Sequence, residues 1–600
     1  MHRAAAVDTT PKIVFYYKCL LNKNWNEPIN NIFWGEFFLL QPRLEVLSQL
    51  LRECPKQELT VNGPKFHSMY LYISEILKSK AESLRIRNSL ATLQTFLAEL
   101  SVRKPTDVNF TIFLLLGNID SIDIQFSAFI KNLCQLVKDS EDVQSVEISL
   151  RFVLHFVSFL YNSSFISHIY GNYDVFSTLY TVILKRKFGF ETAVYAIGLL
   201  SACDKFETVN TFRLGLSKIV DEEFFSSVLS SSAQQLISLR DFYVSIKPDN
   251  PLTGSFFNLF SLRSSSNNPD SDQESQFSRL PDERATMFFT IYELCCCNKL
   301  FLKKLVEGGE KNGEAPLEAL LSLLSYINTH QRQSERSHHF SILSLILFHI
   351  IIDDRSLLYR LTDKKFKISV RVCSQRYPYP PNATKPATPL GYMLDICCIG
   401  IQHNMKLNLS ATMYFLYFSF VYRAMTSLVQ DGIRMEYHWL ELWRVLFSFL
   451  DFVSVLINTS PTEDVTRLLE LILDVLAYII SNGDALVIRS DELVDLFYKL
   501  LHSSKNFSSF SSKIPDERLG ALNYLLEVTE YLTSKTVDLP RSTADEVESV
   551  IKLELESIPV AKQNAFGGVP PFKESQYRLF HKRASRGMAD LLRRKSEAAN

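Results

Sequence analysis

The sequence predicts an all-α fold, a long series of irregular helical repeats stacked as an α-solenoid. Three observations carry this reading. From about residue 28 to about residue 535, apolar segments of helix length follow one another with short polar breaks. No stretch reads as a run of strands. Glycine (19) and proline (22) are sparse for 600 residues, which argues against a turn-rich β-sandwich and against a globally disordered chain. A helix with an apolar stripe has to bury it, and many such helices on short connections bury their stripes most simply against their neighbours in the series.

The segments come in order. Residues 1–27 read as an N-terminal arm without the apolar core of a secretory signal. Residues 28–247 read as N-terminal helical repeats, with helical patterns at 42–54, 66–101, 142–161 and 190–203 and turn or cap chemistry at 105–107 and 117–123. Residues 248–281 read as a loop, partly disordered. PDNPLTG at 248–254 is turn chemistry, and SSSNNPDSDQES at 264–275 has no apolar residue to bury. Central repeats follow at 282–354, with patterns at 282–306, 315–330 and 339–352. Within 355–595, residues 366–373 suit an extended segment and 377–389 hold five prolines. Helical patterns return at 436–457, 463–481 and 515–534, and a last helix is expected over 572–595. No strict repeat has a fixed period. Degenerate armadillo/HEAT-like repeats accommodate that, and a large irregular helical bundle is the alternative.

Composition narrows the function. Hydrophobic residues make up 46% of the chain and phenylalanine alone numbers 44, enough for an extensive core with wide aromatic interfaces. A net charge of −1 gives no global pull towards nucleic acid or anionic lipid. Ten cysteines have no paired framework; the adjacent ones diverge on a helix and cannot close on one zinc ion, so buried reduced thiols are expected. Several apolar runs approach membrane-span length but carry charged or polar residues, so no spanning helix is expected, with one apolar helix crossing the bilayer kept as an alternative. The sequence has no phosphate loop, dinucleotide fingerprint, kinase signature, nucleophile elbow or H-E-x-x-H motif. No catalytic residue, metal ligand or cofactor follows, and the chain is expected not to be an enzyme.

Three features are candidate contacts. Phe256, Phe257 and Phe260 concentrate apolar rings in a loop-like segment, either an exposed wedge for a membrane or partner groove or a plug in the chain's own core. Lys364, Lys365, Lys367 and Arg371 form a basic run, either a solvated face or a contact for an acidic partner or lipid head group. In the last helix Tyr577, Phe580, Ala584, Met588 and Leu591 share one face while Arg578, Lys582, Arg583 and Arg586 crowd the others. That pattern fits docking onto the solenoid end or binding at a membrane surface. Trp439 and Trp443 are expected to share a buried helix face with Leu440 and Leu446 close to it.

Four separated segments resemble the family of armadillo-like helical domain-containing protein 3. FWGEFFLLQPRLEVL at 33–47 is similar to its N-terminal Phe-Trp-Glu-Glu-Leu-Phe segment, and the stretch at 189–223 to its Lys-Tyr-Glu-Ser-Val-Asn region. GSFFNLF at 254–260 falls where the family has Gly-Phe-Phe, and EYHWLELWRVLFSFLDFV at 436–453 is similar to its Tyr-x-Trp-x-Glu-Leu-Trp helix. Order and spacing agree across nearly the whole chain. The 264–275 loop and the 307–316 connection are short where relatives can carry longer insertions. The resemblance implies a non-enzymatic scaffold, peripheral at Golgi membranes. It implies partners of the phosphatidylinositol 4-kinase beta type and the Golgi Arf exchange factor, and a role in phosphatidylinositol 4-phosphate supply, Golgi maintenance and secretion. A solenoid binding other partners in the cytoplasm or nucleus is the competing reading.

Overall fold

The computed structural model describes residues 11–25, 29–102, 108–117, 119–171, 173–203, 210–249, 269–308, 314–380, 386–405, 411–536, 543–561, 568–569 and 572–598. The described residues are all-α: helix follows helix, and extended backbone pairs only at a single antiparallel bridge, Ile368 with Ala387. The chain divides into two compact units. The first comprises residues 1–235, 282–301 and 581–600, the second 236–281 and 302–580.

The first unit is built from triplets of a long, a short and a long helix. One triplet is Leu44–Glu53, Lys56–Val61 and Gly63–Ser79; the next is Ser83–Val102, Val108–Leu116 and Ile119–Asp139; a third is Val143–Leu160, Ile166–Gly171 and Tyr173–Leu184. A fourth begins with Phe190–Ala202 and Thr211–Ser217. Each leading helix packs on the leading helix of the next triplet, and each closing helix does the same. The triplets start at residues 44, 83, 143 and 190, so the repeat is structural and has no fixed sequence period. The pattern at 66–101 is two helices. The first stops at Lys80, whose φ of +50° is a left-handed cap that turns the chain.

Aromatic residues close the first end of this unit. Trp34, Phe37 and Phe38 are fully buried, and the Trp34 indole N–H donates to Ser68 Oγ at 3.0 Å. The rings of FWGEFF pack on Gly63–Ser79, where Phe38 stacks on Tyr72 with ring centroids 6.1 Å apart. Further along, Gly198 lets Phe190–Ala202 approach Met287–Cys297 closely. A Cβ there would lie 2.3 Å from Thr290 Oγ1, which itself donates to the Val194 carbonyl at 2.6 Å. Val143–Leu160 is long and apolar enough to cross a membrane, but 61% of it is buried, packed on Ser83–Val102 and Phe190–Ala202. Its outer face carries the Glu147–Arg151 ion pair at 2.6 Å.

The second unit stacks helices in two rows. One row runs Pro316–Thr329, Pro389–Asn404, Trp439–Thr459, Ser490–His502 and Ala544–Glu554; the other runs Glu335–Asp353, Ala411–Gln430, Glu463–Ser481 and Gly520–Thr536. Trp439 and Trp443 are both fully buried, as is Leu446. Leu440 departs from expectation: it is 46% exposed, because it lies a quarter-turn from the indole face. Part of the stretch expected to be a disordered loop is also ordered: Pro269–Ser278 is helical, and Phe277 stacks on His330 with ring centroids 4.1 Å apart. Phe277 also stacks on Tyr243 at 6.2 Å, so the polar helix is anchored at this end on two rings.

Candidate functional site

In the second unit, three successive helices of the first row begin beside one another's loops. Thr388 caps Pro389–Asn404 with its side chain, while His438 and Arg489 hold the N-cap positions of Trp439–Thr459 and Ser490–His502 without a side-chain cap bond. These ends, with the extended segment around Lys367, enclose an open cleft of about 610 Å³. Its walls include Lys364, Lys367, Thr388, Gly391, Tyr392, Asp395, Met435–His438, Ile488, Arg489 and Glu492. Each helix N-terminus carries roughly half a positive charge. The carboxylates of Asp395 and Glu492 fit that field.

Asp395 is the buried centre of the cleft. Its Oδ1 accepts the Tyr437 hydroxyl at 2.8 Å and lies 2.6 Å from His438 Nε2. Burial, then the Asp395 charge, holds the Tyr437 phenol well above its usual range, and the same two causes raise the Cys398 thiol beside it. Glu492 is buried too. Its Oε1 meets Arg489 Nη2 at 2.5 Å, and its backbone carbonyl accepts the Trp443 indole N–H at 3.0 Å. At the rim, Lys367 lies 3.5 Å from Glu436, both solvated, a pair worth little to stability. The titratable groups thus pair with one another and frame a polar surface suited to hydrogen bonds and charge matching.

The structure sorts the expected contacts. Lys364 and Lys367 line the cleft, and Lys365 is exposed beside it. Arg371 does not join them. Its Nε donates to Asp249 Oδ2 at 2.8 Å, and the same oxygen accepts the Tyr326 hydroxyl at 2.6 Å, so Arg371 ties the extended segment to the unit. Phe256, Phe257 and Phe260 lie outside the described residues. Asp395 and His438 were not among the expected contacts. His438 sits inside EYHW, yet nothing in sequence links it to an aspartate 43 positions upstream.

The last helix runs Arg578–Ala598, and in the first unit it docks by His581, Ala584, Ser585, Met588, Ala589 and Leu592, all buried. The expected face is therefore corrected by about one residue: Ala584 and Met588 are buried, whereas Tyr577, Phe580 and Leu591 are only partly covered. The cause is His581. Its ring stacks on Tyr292 at 4.8 Å, and its Nε2 lies 3.1 Å from the buried Glu293, which Arg213 approaches from the other side at 3.2 Å. Arg578, Arg583 and Arg586 are exposed and Lys582 is half-exposed. Among the described residues no grouping of three or more His, Cys, Asp or Glu side chains could hold a metal ion.

Stacked helix repeats around a polar cleft define an all-α, armadillo-like helical-repeat protein. Residues 388–594, which include most of the cleft, match the family model "Armadillo-like helical domain-containing protein 3, C-terminal". Relatives named Armadillo-like helical domain-containing protein 3 are similar over most of the chain. The Xenopus laevis protein is 20% identical over 84% of this chain and 79% of its own length. The Homo sapiens protein is 21% identical over 80% and 76%, and the Danio rerio protein 19% over 83% and 78%. These matches bear out the family resemblance read from the four sequence segments. No solved structure matches the chain.

Proposed function

We propose that this protein is a non-enzymatic helical scaffold, peripheral at Golgi membranes. It supports recruitment of a phosphatidylinositol 4-kinase of the beta type, and with it phosphatidylinositol 4-phosphate supply, Golgi maintenance and secretion. The Golgi Arf exchange factor is a second partner of the same scaffold. The observation that carries the scaffold reading is the cleft of the C-terminal domain. Asp395 of one helix meets His438 at the start of the next, Glu492 meets Arg489 at the start of a third, and the open polar surface between them is one that a protein segment can meet by charge and hydrogen bonding. The family resemblance adds the Golgi setting and the kinase.

Affinity purification of the tagged full chain with mass spectrometry tests this reading. The kinase is expected with the parent chain and reduced with Lys364→Glu/Lys367→Glu, two rim substitutions that leave the core intact. Recovery of unrelated nuclear or cytoplasmic partners in its place would favour the competing solenoid reading. Carbonate extraction tests the membrane-spanning alternative: a peripheral protein is released, whereas one crossing the bilayer through Val143–Leu160 is retained.

A further inference from the structure

We propose that the outer face of the docked C-terminal helix is an electrostatic landing surface for an anionic lipid bilayer, which it meets without inserting. Within the first unit, His581, Ala584, Ser585, Met588, Ala589 and Leu592 are buried, so the apolar face of this helix is spent on the protein itself. What remains outside is mostly charge, with one exposed apolar side chain, Leu579, at the start of the helix. Arg583, Arg586 and Arg594 are exposed and Lys582 is half-exposed. At 100° per residue these four fall within an arc of about 120°, opposite the buried face, and at 1.5 Å per residue they span about 18 Å. Asp590 lies in the same row, but Arg593 Nη2 sits 3.2 Å from it and neutralises it. Among the described residues these four side chains pair with no carboxylate, in a chain whose net charge is −1.

The shape of this face selects the occupant. The outside of a helix is convex and offers a row of charges with no recess for a partner side chain, which suits a plane of many anions. Juxtamembrane basic residues each contribute about 1 kcal/mol near an anionic leaflet, roughly a fivefold gain in affinity per residue. A docked helix cannot also bury its apolar face among acyl chains, so the attachment is purely electrostatic and reversible. Of the two uses expected for this helix, docking takes the apolar face and leaves a membrane the charged one.

Flotation of the full chain with phosphatidylcholine vesicles, with and without about one quarter phosphatidylserine, tests the proposal. The parent chain is expected to float with the anionic vesicles only. Raising salt to about 1 M, where the screening length falls to about 3 Å, should release it completely. Arg583→Gln/Arg586→Gln/Arg594→Gln should weaken binding on the order of a hundredfold with an unchanged melting temperature, since all three side chains are exposed. Met588→Asp, which undocks the helix and frees its apolar face, should make binding resistant to salt. The proposal is overturned if the parent chain stays with neither vesicle, if it binds neutral vesicles equally, if binding survives high salt, or if the triple variant floats like the parent. None of these outcomes bears on kinase recruitment, which affinity purification reads separately.

Discussion

Trp439 and Trp443 stack one turn apart, with ring centroids 5.3 Å apart and planes inclined by 20°. Each indole N–H is used to close a different loop: Trp439 donates to the Met435 carbonyl at 3.2 Å and Trp443 to the Glu492 carbonyl at 3.0 Å. One helix face thereby holds two walls of the cleft. Trp443→Ala is expected to cost about 3–5 kcal/mol, from the loss of a large buried ring. Leu440→Ala, on the exposed side, should stay within about 0.5 kcal/mol. Urea unfolding of both variants checks the contrast; equal effects would place the indole outside the core.

Asp395 holds Tyr437 and His438 together, so its loss removes the acceptor of a buried hydroxyl and the carboxylate facing a part-buried imidazole. Asp395→Ala is expected to destabilise by about 1–3 kcal/mol, the cost of taking one partner from a buried hydrogen bond. Asp395→Asn keeps an acceptor and should cost less. If both variants melt like the parent, the triad contributes nothing to the second unit.

Gly198 fixes how closely two helices of the first unit approach. Gly198→Ala puts a methyl group against Thr290 Oγ1 and its backbone nitrogen, and should cost about 1–3 kcal/mol by overpacking. Adding Thr290→Ala removes the Oγ1 clash and leaves the backbone one, so it should recover only part of the loss. Full recovery would show that the side chain alone sets the spacing.

Acid should destabilise the protein through buried imidazoles. His349 stacks on Phe572 at 4.5 Å, its Nε2–H donates to the Leu416 carbonyl at 3.1 Å, and among the described residues its buried Nδ1 has no acceptor for the hydrogen that protonation would add. Burial, reinforced by Arg423, lowers its pKa from 6.5 to about 3, and burial likewise brings His155 and His330 to about 4. The unfolded chain binds protons at these sites below pH 6.5 while the folded chain does not. Stability is therefore full above pH 6.5 and falls as pH drops towards about 3. His349→Leu should flatten that slope in thermal melts across pH 7 to 4. An unchanged slope would assign acid sensitivity to other groups.

Arg371 separates a structural role from a contact role. Arg371→Gln loses the pairing with Asp249 and should cost about 1 kcal/mol, discounted for the partial exposure of the guanidinium. Partner recovery should not change. A variant that melts normally but loses the partner would return Arg371 to the contact surface.

The sequence by itself determined that the chain is helical, where most helices lie, and which family it resembles. Helical periodicity is local: Glu463–Ser481 and Pro316–Thr329 are visible because one apolar stripe is written into each segment. The four family segments are likewise contiguous. Tertiary structure alone decided what depends on distant partners. The triplet repeat emerges only when helices of unequal spacing stack. Arg371 reads as a free cation until Asp249 is placed beside it, and the cleft exists only when residues near 365, 395, 437 and 490 converge. The last helix shows the physical reason most plainly. Its amphipathic pattern fits a protein groove and a membrane equally well, because both are apolar on one side and wet on the other. Burial of Met588 and the stacking of His581 on Tyr292 decide between them.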